Sequence, residues 1–261
     1  MNKRMNTSLL ASSTGATSSS PERRITGNQL KTTIVVSDVH LASPVCRAKS
    51  LRNLLKDASF ERLIILGDLF EDARFRRLDK SHWQFLSLLR KLSSPKRGVE
   101  IVWIEGNHDR EVISVVSHMI GAKVIREHEH YVLECGGKRI LFMHGHQFDD
   151  YIDQRPMLTA VATGIYNTVQ RCGGRGKRVS RWLKYKSKSW MNASAENARR
   201  ALHLARTQRA DIVICGHTHA TFESQHHGVR YINTGSWVDI PSQYVVINEQ
   251  GLELRADWSE D

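Results

Sequence analysis

The sequence has no apolar run approaching the roughly 18 residues that a membrane-spanning helix requires, so it does not read as an integral membrane protein. Its four cysteines, Cys46, Cys135, Cys172 and Cys215, show no C-x-x-C spacing. Neither a structural zinc knuckle nor a disulfide framework is expected, and a reducing compartment, the cytoplasm, fits this usage. No internal repeat is visible. The only apolar stretch in the first thirty residues, Leu9-Leu10-Ala11, is too short for the core of a signal peptide. Rich in Ser, Thr and Gly, residues 1–30 read as a disordered tail.

Acidic residues are nearly missing from one long stretch. Between Arg171 and Ala210 twelve Lys or Arg face a single acid, Glu196, and this block accounts for the whole formal excess of +11. The composition, 40% hydrophobic and 25% charged, is otherwise that of a globular protein, and 261 residues suffice for one large core with an insertion. The expected organisation is one domain over 31–261 carrying a basic helical cap at about 150–208. A positive block on an otherwise balanced chain implies an anionic partner: a phosphorylated substrate, an anionic membrane surface or nucleic acid.

What the sequence does contain is a series of apolar strands with polar ends. "TTIVVSDVHL" from Thr32, "RLIILGDLFED" from Arg62, "VEIVWIEGNHD" from Val99, the hairpin "YVLECGGKRILFMHGH" from Tyr131 and "DIVICGHTH" from Asp211 each stop at Asp, Asn or His. Helical spacing predicts helices over 46–58 and 80–92, and further helices at about 153–171, 178–190 and 194–208. "GVRYINTGSWVD" and "SQYVVINEQGLELRA" read as C-terminal strands. In an α/β sheet the loops at the carboxyl ends of strands converge on one edge, so these corners are expected to meet.

The corners supply Asp38, His40, Asp68, Asn107, His108, His144, His146, His217 and His219. Carboxylate, amide and imidazole donors without a thiolate suit manganese foremost, with iron or zinc as other ions such a set accepts. The number of donors fits two ions. A pair of ions needs a bridging ligand, and Asp68 is the candidate, since each carboxylate oxygen can take one ion.

In this order, Asp38-x-His40, Gly67-Asp68, Gly106-Asn107-His108-Asp109, His144 and Gly216-His217-x-His219 resemble the five signature motifs of the calcineurin-like metallophosphoesterases, over about 32–248. The resemblance implies a four-layer α/β/β/α sandwich with a helical cap insertion around a dinuclear centre. It assigns one divalent ion to Asp38, His40, Asp68 and His219 and the other to Asp68, Asn107, His144 and His217, and makes His108 the histidine that meets the phosphoryl oxygen or leaving group. The implied reaction is hydrolytic cleavage of a phosphoester or phosphoanhydride, with water activated by the ions. Asp109 is expected either to orient His108 or to cap the following helix.

Within the family, "SDVHL", "GDLFED", "MHGH", "GHTH" and the place of the insertion look most like the UDP-2,3-diacylglucosamine pyrophosphatases, which implies a lipid-linked nucleotide-sugar substrate. The chain departs from that subgroup at His108 and His146, where Arg and Asp are usual, and at Ala220-Thr221 in place of Arg-Pro. Arg181, Lys184, Lys186 and Lys188, interleaved with Trp182, Tyr185 and Trp190, are the candidate substrate contacts, and the same block suits peripheral docking on the inner face of an anionic membrane. A nuclease with the basic block as its strand-binding groove, and a non-enzymatic scaffold, are the competing readings.

Overall fold

The computed structural model describes residues 22–25, 31–126, 129–151 and 188–259. Strands β2 (Thr33–Val36), β3 (Arg62–Leu66) and β4 (Glu100–Ile104) are buried almost throughout, as their unbroken apolar text requires of parallel strands covered on both faces. With β5 (Ala122–Ile125), β11 (Ser242–Asn248) and β12 (Gly251–Asp257) they form a sheet in the order β12-β11-β2-β3-β4-β5. The second sheet runs β1-β6-β7-β8-β10-β9, from β1 (Glu22–Ile25), β6 (His130–Cys135), β7 (Lys138–Phe142), β8 (Ile212–Cys215), β9 (Phe222–His226) and β10 (Val229–Asn233). The parallel neighbours β2, β3 and β4 of the first sheet, and β7 and β8 of the second, end where the polar corners begin.

The period of two along each strand divides the apolar side chains between layers. Val36, Ile65 and Trp103 pack under α1 (Ala48–Asp57), α2 (Lys80–Leu92) and α3 (Ile113–Ile120), while Val35, Ile64 and Val102 turn inward. There they meet Phe142, Ile214 and Ile232 of the second sheet. On the far face of that sheet Leu141, Val213 and Tyr231 lie against Ala198, Ala201 and Ala205 of α4 (Lys188–Thr207). The layers are therefore helices, sheet, sheet and helix, the sandwich that the motifs implied. Among the described residues no helix is long and apolar enough to cross a membrane.

Several elements differ from the sequence reading. Glu22–Ile25, within the segment expected to be a disordered tail, pair in parallel with β6; the other residues of 1–30 lie outside the described ones. An edge strand is recruited through backbone hydrogen bonds, which its charged side chains do not advertise. Of the helix expected at 178–190, residues 178–187 lie outside the described ones; its last three join the helix expected at 194–208 in one helix, Lys188–Thr207, because Met191–Ala195 contains no Gly or Pro to interrupt it. The expected helix at 153–171 lies outside the described residues. "SQYVVINEQGLELRA" folds as the β11–β12 hairpin, and β5 and β9 were not expected.

Helix α2 starts at a capping box: Asp79 accepts from the amides of Ser81 and His82, and His82 Nδ1 accepts from the amide of Asp79 at 3.0 Å. Asp79→Ala is expected to lower stability by about 1 kcal/mol in urea unfolding.

Candidate metal centre

Each corner follows its strand by two to four residues, and the ladder continues into the corners. The amides of Asp38 and His40 donate to the carbonyls of Gly67 and Asp68, and the amide of Gly216 donates to the carbonyl of His144. These bonds hold Asp38, His40, Asp68, His217 and His219 at φ between +50° and +70°, the left-handed region, although none is glycine. Such conformations cost about 1–3 kcal/mol each and persist only where the surroundings over-determine them. The close approach also explains two glycines. A Cβ on Gly106 would fall against the Asp68 carboxylate, and one on Gly216 against Asp38.

Six of the seven expected ligands assemble into two groups, Asp38 with His40 and His219, and Asp68 with His144 and His217. In the first, His40 Nε2 lies 3.0 Å from His219 Nε2, and His219 Nε2 lies 3.2 Å from Asp38 Oδ1. The groups meet at one atom. Asp68 Oδ2 is 3.3 Å from His144 Nε2 and 3.9 Å from His40 Nε2, while Oδ1 accepts the amide of His108. This differs from the expectation of one Asp68 oxygen per ion: Oδ2 faces both groups, because Oδ1 is engaged by the His108 amide. Asn107, the seventh, is exposed on the β4 corner.

The electrostatics ask for positive charge. Burial raises the Asp38 carboxyl, but His219 and His144 together outweigh it and hold the group at about 2. At Asp68 burial is outweighed by His144, His40 and His108 together, and the carboxyl lies well below its usual range. Burial opposes charge on His144 as well, yet Asp68 and Asp38 carry that imidazole up to about 10. His40 is raised against the effect of burial by its bond to Glu71 and by Asp68. Buried carboxylates here hold imidazoles protonated, a role that divalent ions fill by displacing the protons. His144 Nε2 is buried without a hydrogen bond, and the oxygen and nitrogen donors around it fit such an ion.

His108 is exposed, its ring edge-on to His40 at a centroid distance of 5.2 Å. Its Nδ1 donates to the carbonyl of Glu71 at 2.7 Å, leaving Nε2 as the nitrogen for a ligand. Asp109 takes neither of its expected roles. Its buried carboxylate accepts from Phe70 N, Trp103 Nε1 and Gly106 N, and the helix after it begins beyond Val112 with no side-chain cap. Three inward donors outcompete the solvent-facing ring of His108, so Asp109 fastens the β4 corner to the β3 corner. Burial, aided by Asp68, lifts its carboxyl to about 7.

Several residues support these in parts that the sequence reading did not assign, although it counted His146 among the corner donors and Trp190 among the aromatics of the basic block. Glu71 Oε2 lies 3.0 Å from His40 Nδ1; the adjacent motif quoted it without assigning it a part. Asn233 Nδ2 donates to the Gly216 carbonyl, Asn197 Nδ2 to the Gly145 carbonyl and Trp190 Nε1 to the Thr218 carbonyl. His146 packs its ring on His144 and His217. Of the candidate substrate contacts, Arg181, Lys184 and Lys186 lie outside the described residues, and Lys188 is the first residue of α4.

Loading with Mn²⁺ at pH 7 is expected to release protons. His144, raised to about 10, is protonated there in the metal-free protein and must lose its proton to ligate, so affinity falls as pH falls. Calorimetry in buffers of different ionisation enthalpy measures the release. Asp109→Ala strands three buried donors and is expected to cost about 3 kcal/mol in urea unfolding.

Comparison with known proteins places these corners in a family. Residues 31–221 match the family model described as calcineurin-like phosphoesterase, a span that takes in every corner from Asp38 to His219. The UDP-2,3-diacylglucosamine hydrolase of Escherichia coli O7:K1 (strain IAI39 / ExPEC) is 34% identical over 124 residues, 43% of this chain and 47% of the relative. The match thus spans about half the length of that relative. Among solved structures, Yfce, a phosphoesterase from E. coli, is 17% identical over 87% of this chain and 95% of its own, with a TM-score of 0.48. A novel archaeal phosphodiesterase is 13% identical over 87% of this chain and 99% of its own, with a TM-score of 0.47. The family match covers both ligand groups and most of the chain: this protein belongs to the calcineurin-like phosphoesterase family.

Proposed function

We propose that this phosphoesterase hydrolyses the pyrophosphate bond of a lipid-linked nucleotide sugar of the UDP-2,3-diacylglucosamine class, using two divalent ions, manganese foremost. The observation that carries a dinuclear hydrolase is the meeting of two acid–imidazole groups at Asp68 Oδ2. Bound ions would activate water as the nucleophile and neutralise the phosphoryl oxygens. The chain's own residues complete the chemistry. His108, its Nδ1 fixed by the Glu71 carbonyl, donates from Nε2 in its protonated form to a phosphoryl or leaving oxygen.

Support for this substrate class comes from the hydrolase that shares 34% identity over part of the chain. The cationic block from Arg171 to Arg209 adds to it: in this reading its cations raise the local concentration of anionic substrate. In this reading Arg181, Lys184, Lys186 and Lys188 contact the substrate, and the block docks the cytoplasmic protein on the anionic inner leaflet at about 1 kcal/mol per favourably placed cation.

Metal-stripped protein reloaded with Mn²⁺ is expected to cleave UDP-2,3-diacylglucosamine and an aryl phosphodiester, and EDTA to stop both reversibly. Asp68→Ala is expected to reduce turnover to background; full activity in that variant would refute the dinuclear reading. His108→Ala is expected to lower kcat about 10²–10³-fold. Cleavage confined to nucleic acid, with affinity falling steeply in salt, would replace the lipid-linked substrate with a polynucleotide.

A further inference from the structure

Besides Glu71, a second acidic side chain outside the ligand set touches a candidate ligand. Asp149 lies on the 3-10 turn His146–Tyr151, and its Oδ1 is 2.9 Å from His217 Nε2. The turn is held from two sides. Its amides at Gly145 and Phe148 bond to Gln147 Oε1 and the Gly145 carbonyl, and α4 grips it through Asn197 Nδ2 on the Gly145 carbonyl and Arg200 Nη1 on the Phe148 carbonyl. The His217 backbone is fixed as well, its amide donating to both Asp38 oxygens at 3.1 and 2.9 Å. The contact therefore joins two positions that are each set independently.

A neutral imidazole carries one N–H and one lone pair, and a carboxylate accepts rather than donates. The same logic is visible at the other histidines. His40 Nδ1 faces Glu71 and His144 Nδ1 donates to the Leu66 carbonyl, which leaves Nε2 of each ring toward Asp68. At His217 the ring is used the other way round. We infer that Asp149 is a positioning residue of the metal centre: it keeps the His217 proton on Nε2, so that Nδ1 is the nitrogen offered to the ion shared with Asp68 and His144. Each ligand group then has one carboxylate outside it that sets the tautomer of one histidine, Glu71 for the group of Asp38 and Asp149 for the group of Asp68. The inference rests on the metal-centre reading and adds to it the choice of ligating atom.

The test is long-range ¹H–¹⁵N NMR of the Zn²⁺-loaded full chain, with the His217 ring assigned from a His217→Gln spectrum. The expected pattern is a protonated Nε2 and a coordinated Nδ1. Titration with Mn²⁺ gives the second readout: Asp149→Ala weakens one of two ion sites about 10–100-fold and leaves the other unchanged. Asp149→Asn, whose amide oxygen still accepts from Nε2, recovers most of that affinity. Two ions bound with His217 coordinated through Nε2 overturns the assignment and leaves the metal centre standing, as does an Asp149→Ala protein that binds both ions as tightly as wild type. A wild-type chain that takes up no divalent ion overturns the metal-centre reading and the inference together.

Discussion

The bond from the His108 amide to Asp68 Oδ1 fixes the geometry of the centre. It uses one oxygen of the carboxylate and so turns the other, Oδ2, toward His40 on one side and His144 on the other. The same bond sets the distance between the β3 and β4 corners, and with it the place of His108 relative to His40. Asp109 reinforces it from below by accepting the amides of Phe70 and Gly106 and the indole N–H of Trp103. A metal site needs its ligands within a few tenths of an ångström, and here backbone amides do much of the aiming.

Aiming of this kind is costly. Five of the candidate ligands occupy backbone conformations that L-residues avoid, and several titratable groups sit buried in contact with one another. The compensation is spread over the sandwich. Ladder bonds run past the ends of β2 and β3, Asn233 ties down the Gly216 carbonyl, and Trp237 donates its amide to the Asp38 carbonyl. Strain concentrated at corners and supported by regular strands is the common form of a functional site.

Much of this could be read in the sequence because its signals are local. A buried strand followed by Asp-x-His or Gly-His needs only ten residues to be seen, and the convergence of five such ends follows from parallel topology. What stayed hidden depends on distance through space. Glu71 and Asp149 are ordinary acids in the chain and acquire a role only when His40 and His217 come within 3.0 Å of them. Asp109 beside His108 suggested a pair, and the fold turned its carboxylate inward to three better-placed donors. The pairing of Glu22–Ile25 with β6 is invisible for another reason: backbone hydrogen bonds leave no mark on side-chain pattern.

The two ligand sets are divided between sheets. Asp38, His40, Asp68 and Asn107 lie at the corners of the first sheet, while His144, His217 and His219 come from the second, so each candidate ion site spans the seam between them. The layer of Val35, Ile64 and Val102 against Phe142, Ile214 and Ile232 is the spacer that sets this seam. It works as the frame of a caliper whose jaws are the carboxylates and imidazoles. A methylene added or removed far inside that layer would shift the gap between the jaws, because a close-packed interior passes a change of volume on to its edges.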